Sequence, residues 1–217
     1  GGETVNREEL LKNAKPILFN TEMVQATLEG RKTATRRIMK PQPLFKTSRK
    51  YIFADETCPK KFEDCDNIFD VYQYQVGDIL YVRETFCEVP YEYEHIPMEN
   101  GHITVPKIAY RADSKIDYTG IWKPSIHMPK ELARIFLKVT NVRVERLQDM
   151  SIQDMINEGV KASDITTNRG VIEYRVVNRF EELWDSTVKK KDLDKYGFGA
   201  NPWVWVIEFE RVEVENE

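Results

Sequence analysis

NTEMVQATLEGRKTATRR, residues 20–37, joins a short helical pattern to a glycine stop and a basic, hydroxyl-bearing loop. Asn20 or Thr21 caps the start, since either side chain accepts a hydrogen bond from a free N–H of the first turn. Glu22 sits in that turn, where the positive end of the helix dipole favours a carboxylate. Met23, Ala26 and Thr27 recur three and four residues apart on one face. Gly30 takes the place where a chain leaves a helix in left-handed geometry. From Gly30 to Lys40 stand five cations (Arg31, Lys32, Arg36, Arg37, Lys40) and no acid, interleaved with Thr33 and Thr35. Hydroxyls supply donors, acceptors and nucleophiles, while the cations hold anions or stabilise developing negative charge. Taken alone, such a run is more often a solvated basic turn after a surface helix.

Composition narrows the class. A chain of 217 residues accommodates one well-buried core with large insertions. Its net charge of −4 excludes coating nucleic acid by bulk positive charge, so an anionic partner needs a local patch such as 30–40. No run approaches the roughly 20 apolar residues that span a bilayer, and GGETVNREELLKNAK lacks a signal-peptide core. Cys58, Cys65 and Cys87, an odd number, fit a reducing compartment. The expectation is a cytoplasmic protein with no membrane partner. Cys58 and Cys65 have no CxxC or HxxxH companion, so reduced thiols in a loop are expected rather than a zinc site.

The flanking chain reads mainly as strands. PILFN (16–20) is a short buried strand feeding the first helix. Pro41 and Pro43 block helix continuation, and 41–75 has no period, so it reads as an insertion or long loop. ILYVRETFC (79–87) is a strand, Asn100-Gly101 a hairpin loop, and KIAYRA (107–112) the returning strand. WKPSIHMP (122–129) is bracketed by prolines and irregular. RIFLKVTNVRVERL (134–147) alternates with an interruption near Asn141, as a bulged strand does. SIQDMINEG (151–159) is a second short helix, its Ser151 and Asp154 spaced as a capping box and Gly159 ending it. Phe180, Leu183, Trp184 and Val188 give a third helix one buried stripe. WVWVIEFERVEV (203–214) closes the chain as a strand with Trp203, Trp205, Ile207 and Phe209 on one face. Several strands, few helices and no βαβ rhythm describe an α+β, mostly β, fold.

Gly30, Lys32, Thr35 and Arg37 form a G-x-K-x-x-T-x-R pattern that resembles the signature of ASCH domains, in the PUA-like superfamily. VGDILYVRE (76–84), the Asn157-Glu158-Gly159 helix end and WVWVIEF (203–209) follow in the order that family shows. The WKPSIHMP segment and NPWVW tail are similar to the longer phage and prophage ASCH proteins. The resemblance implies a PUA-like pseudo-barrel with short peripheral helices and inserted loops. It implies a single domain over 15–214, after an N-terminal extension at 1–14, with insertions at about 41–75, 89–106 and 160–200. Small family members are amidohydrolases that remove the acetyl group from N4-acetylcytidine; others are regarded as RNA binders or ribonucleases. Lys32 and Thr35 match the hydrolase's essential lysine and threonine, and Glu158 its catalytic glutamate. The implied partner is a modified nucleoside or RNA, with no cofactor and no metal.

Amide hydrolysis needs a nucleophile, a proton acceptor, a donor for the leaving nitrogen and an oxyanion holder. Thr35 or a bound water attacks. Lys32, desolvated and crowded by cations, takes the proton as neutral amine. Glu158, in the last turn of its helix, shuttles a proton to the leaving nitrogen. If Glu158 pairs closely with Lys32 the signs reverse: the lysine stays protonated, the glutamate ionised, and a water route follows. Arg37 is the natural oxyanion or phosphate holder, with Arg36, Thr33 and Glu84 beside it. Trp122, Ser125 and His127 form a lid that stacks and orients a base. Each has a plainer reading: Lys32 and Arg37 as phosphate neutralisers or partners of Glu84, Glu158 as a surface carboxylate, 122–127 as a packed proline-rich loop. The same cleft serves three chemistries: acyl hydrolysis, RNA or base binding without turnover, and phosphodiester cleavage.

Overall fold

The computed structural model describes residues 6–46, 51–52, 72–89, 95–98, 101–104, 107–113, 121–161 and 169–214. In chain order the helices are α1 (Arg7–Asn13), α2 (Thr21–Leu28), α3 (Ile152–Asn157), α4 (Arg169–Thr187) and α5 (Leu193–Tyr196). The strands are β1 (Lys15–Leu18), β2 (Ala34–Ile38), β3 (Phe45–Lys46), β4 (Tyr51–Ile52), β5 (Ile79–Arg83) and β6 (Phe86–Glu88). They continue as β7 (His95–Met98), β8 (Gly101–Thr104), β9 (Ile108–Tyr110), β10 (Phe136–Arg146) and β11 (Trp203–Val212). The fold is mixed α+β and dominated by strands. Two compact units emerge: Gly1–Glu29, Ile79–Leu137 and Arg211–Glu217 in the first, Gly30–Asp78 and Lys138–Glu210 in the second. No helix among the described residues is long and apolar enough to cross a membrane.

In the first unit, α1 occupies part of the stretch expected only as an extension. Asn6 caps it, its side chain accepting from the Glu8 amide at 2.8 Å, and Leu10 is buried. β1 runs parallel to β5 in the register Lys15↔Leu80 to Leu18↔Arg83. Asn20 caps α2 by accepting from the Met23 amide at 2.8 Å. The buried face of α2 is Val24, Ala26 and Thr27, with Met23 at its border. Thr27 is buried without cost because its hydroxyl donates to the Met23 carbonyl at 2.9 Å. β6 pairs with β9, and β7 with β8, both antiparallel. Met98 pairs with Gly101, so Gly101 belongs to β8 rather than to the expected loop, and Asn100 lies outside the described residues. Leu10, Phe86, Met128, Ala133 and Phe136 form the core, with Tyr81 packed against it.

In the second unit β11 lies between β10 and β2 and pairs antiparallel with β2, from Val204↔Ile38 to Glu208↔Ala34. Along β10 the burial alternation changes phase at Thr140 and Asn141, as an interruption there would produce. Trp203 to Ile207 are all buried, so both faces of β11 are covered there. The reason is α4, which lays Val176, Phe180 and Trp184 over Val204 and Val206 together with Met155 of α3. β1 and β2 are the edge strands of the described sheet, and no pairing among the described residues closes a barrel.

α3 deserves its short length to its ends. Ser151 Oγ accepts from the Asp154 amide at 3.1 Å, and Asp154 Oδ2 accepts from the Ser151 amide at 2.9 Å. Gly159 follows at φ +110°, a conformation that excludes most side chains. Ser151→Ala is expected to cost about 1 kcal/mol in denaturant unfolding.

Candidate functional site

The GRKTATRR stretch is not a basic loop throughout: from Ala34 it is strand β2. Charges disguised it, because Arg36 occupies an inward position that an apolar residue normally fills. The remaining loop is tied to the end of α3. The Thr33 amide donates to the Asn157 carbonyl at 2.9 Å, and Arg31 Nη1 to the Gly159 carbonyl at 2.6 Å.

These ties deliver Lys32 to Glu158. Lys32 Nζ donates to Glu158 Oε2 at 2.7 Å, to the Glu158 carbonyl at 2.9 Å and to the Ala34 carbonyl at 2.7 Å. The lysine side chain is wholly buried and that of the glutamate 5 % exposed. Burial pulls the Lys32 pKa below the ordinary lysine range, and the Glu158 carboxylate pushes back. Three acceptors around Nζ ask for three protons, which favours ammonium against carboxylate. Glu158 caps α3 at its C-terminal end, and its Oε1 accepts from Arg36 Nη1 at 3.2 Å.

Arg36 extends the cluster. Its Nη2 and Nε reach Glu145 Oε1 at 2.6 and 3.0 Å, and Asp154 Oδ1 lies 3.7 Å from Nη2. Arg143 joins Glu145 at 3.2 Å and Asp154 at 3.7 Å, and also bonds Glu208. Burial raises the Asp154 pKa, but the two Ser151 bonds, then Arg36 and Arg143, outweigh it and hold the carboxyl low. Glu145, Asp154 and Arg143 were not singled out from the sequence. The capping-box spacing marked Asp154 only as a helix starter.

Strand alternation sends Thr35 and Arg37 to the face opposite Arg36. There Thr35, fully buried, accepts from Arg37 Nη1 at 2.8 Å. Thr33 is exposed in the loop. Trp205, directly across from Arg37, stacks on Tyr72 with ring centroids 4.1 Å apart.

The other expected site residues belong to the first unit. Glu84, 1 % exposed, takes a two-pronged contact from Arg134 at 2.8 and 2.9 Å. Burial raises the Glu84 pKa and Arg134 opposes the rise. Arg134 also bonds Asp113 and covers the Tyr110 ring at 4.0 Å. The 122–127 segment is packed rather than loose. Lys123 bridges Phe86, Arg83 bonds the carbonyls of Met128 and Ile126, and Arg111 sits 4.9 Å over the half-buried Trp122. Ser125 and His127 lie in a 3-10 turn there, the histidine exposed. Cys87 is buried in β6, while Cys58 and Cys65 lie outside the described residues.

No protein-family model matches the chain, and no curated protein does. Among solved structures it is similar to the high-resolution crystal structure of an ASCH domain from Lactobacillus crispatus JV V101. That likeness has 13 % identity and a TM-score of 0.37, over 96 % of this chain and 86 % of the other. A superposition that loose carries no weight for family or activity.

Proposed function

We propose that the chain is an ASCH-type hydrolase that removes the acyl group from a modified cytidine such as N4-acetylcytidine. One observation carries this reading. Lys32 and Glu158, 126 residues apart, meet at 2.7 Å inside the second unit, and these are two of the three positions that the family resemblance pairs. In this reading residues 15–214 are one cytoplasmic domain related to the PUA-like pseudo-barrel. Among the described residues β2 is an edge strand, so in this reading a ligand beside it meets Lys32 and Glu158 from one face and Thr35 and Arg37 from the other.

The ion pair favours the water route in this reading. Glu158 as carboxylate accepts a proton from water, whose oxygen bonds to the acyl carbon. The positive charges of the Lys32 ammonium and Arg37 stabilise the resulting oxyanion through their field. When the intermediate collapses, the C–N bond breaks and the glutamic acid returns the proton to the exocyclic nitrogen. Cytidine and a carboxylic acid leave. The amine-as-base scheme fits less well, since a neutral Lys32 would leave one of its three acceptors unserved.

Conversion of N4-acetylcytidine to cytidine, followed by ultraviolet absorbance, tests the proposal. The unmodified protein is expected to turn the nucleoside over and Lys32→Ala to lose at least about 100-fold. Unchanged activity in that variant removes Lys32 from the mechanism. The saturation of Nζ by protein acceptors supports a second reading, a base-binding module with the pair as a brace. Salt-sensitive RNA binding without turnover would establish that one.

A further inference from the structure

Tyr72 lies in the stretch that reads as a patternless insertion, yet its ring is stacked on Trp205 within electrostatic reach of Arg37. Its ring lies parallel to Trp205 at 4.1 Å with an interplanar angle of 11°. Tyr74 meets it edge-on at 5.6 Å and 90°. Trp205 and Tyr74 are both buried, so the ring is clamped on a face and an edge and cannot swing to seek a partner. The phenolic oxygen is buried; the Gln73 side chain lies close enough to favour its charged form, but no group among the described residues meets it with aligned hydrogen-bond geometry. Buried hydroxyls are nearly always paired, so one fixed in place with no aligned partner among the described residues calls for water or a ligand. Its electrostatic setting narrows the choice. Burial raises the Tyr72 pKa, with Arg37 pulling the other way, so the phenol keeps its proton and acts as a donor. The residue opposite Trp205 in the sheet is Arg37, which places the guanidinium on the same face.

We propose that Tyr72 is a specificity-determining residue whose hydroxyl donates to the ring carbonyl oxygen of a pyrimidine ligand held against Thr35 and Arg37. The proposal rests on the nucleoside reading above for the ligand's identity. It assigns recognition of the base to this face, and reaction at the acyl group to Lys32 and Glu158. A carbonyl oxygen suits the site because it is a pure acceptor with partial negative charge, matching a donor beside a cation.

Tyr72→Phe isolates the hydroxyl while keeping the ring stack. With N4-acetylcytidine as substrate, KM is expected to rise roughly three- to tenfold, the weight of one neutral hydrogen bond. The change in kcat stays under about twofold, as expected when uniform binding is lost. The melting temperature stays level or rises, because an unpaired buried hydroxyl has been removed. An unchanged KM beside normal turnover overturns the proposal and leaves the hydrolase reading standing: the hydroxyl then serves only a bound water. If the unmodified protein does not turn over N4-acetylcytidine, calorimetric titration with cytidine decides. Binding that weakens in Tyr72→Phe upholds Tyr72 and removes the hydrolase; binding equal in both proteins, or absent from both, overturns the assignment.

Discussion

Glu158→Ala is expected to lower stability by about 3–5 kcal/mol at neutral pH, the usual cost of stranding a buried charge. Glu158 is the carboxylate nearest Lys32, whose side chain has no exposure. Arg36 also loses a contact but keeps Glu145 at 2.6 Å. The lysine keeps the main-chain carbonyls of residues 34 and 158, which a neutral amine satisfies with two protons. Hence the variant escapes part of the penalty by deprotonating, and its cost depends on pH. The folded-state pKa of Lys32 is already lowered by burial, and loss of Glu158, the largest opposing influence, lowers it further. Between a lowered folded value and the unfolded value of about 10.4, the unfolded chain carries a proton that the folded chain lacks. Stability therefore rises with pH across that window, and the rise begins at a lower pH in the variant. Urea unfolding from pH 6 to 10 should show the gap between the two proteins narrowing as pH increases. A gap that is constant, or that widens, would mean Lys32 is not the stranded charge. In the deacetylation assay the same variant should lose about 100- to 10,000-fold, the range for a positioned acid–base group.

Arg36→Met should be comparably severe. The arginine side chain is fully buried and engages Glu145 and Glu158 directly, with Asp154 at 3.7 Å. Methionine matches much of its length but serves none of these carboxylates, so three negative charges are left around an apolar group. A loss of about 3–5 kcal/mol is expected, read as a lower urea midpoint at unchanged slope. Arg36→Lys should restore only part of it, because one ammonium cannot reproduce the fork that meets Glu145 through two nitrogens and Glu158 through a third. A loss below 1 kcal/mol for the methionine variant would show that the carboxylates find other partners or take up protons cheaply.

What could be read in the chain, and what could not, divides by range of interaction. Asn20, Gly30, Ser151, Asp154 and Gly159 act within three or four residues, and each cap or stop stands where its chemistry placed it. Of the expected stripe, Phe180 and Trp184 lie on the buried side of α4, Val188 is buried just past its end, and Leu183 is only half-buried. β2 was hidden because its inward Arg36 is neutralised by Glu145 and Glu158, which lie 109 and 122 residues on. Nothing local announces such a partner, so the strand reads as a solvated loop. Glu84 presents the same problem, since its partner Arg134 is 50 residues away. Tyr72 carried no signal, because its place depends on an indole contributed by the last strand. Lys32 and Glu158 were reachable only through the family resemblance, which supplied a long-range pairing that periodicity cannot.

The lacing of residues 31–33 onto the end of α3 has a consequence for how proteases see this protein. In the denatured chain the 31–37 run, with Arg31, Lys32, Arg36 and Arg37, is among the densest clusters of trypsin sites. In the native chain Lys32 and Arg36 are buried, and the backbone between them is engaged with Asn157 and β11. Cleavage there has to wait for the strand to detach, so the speed at which trypsin nicks this run measures how often the edge of the second unit opens.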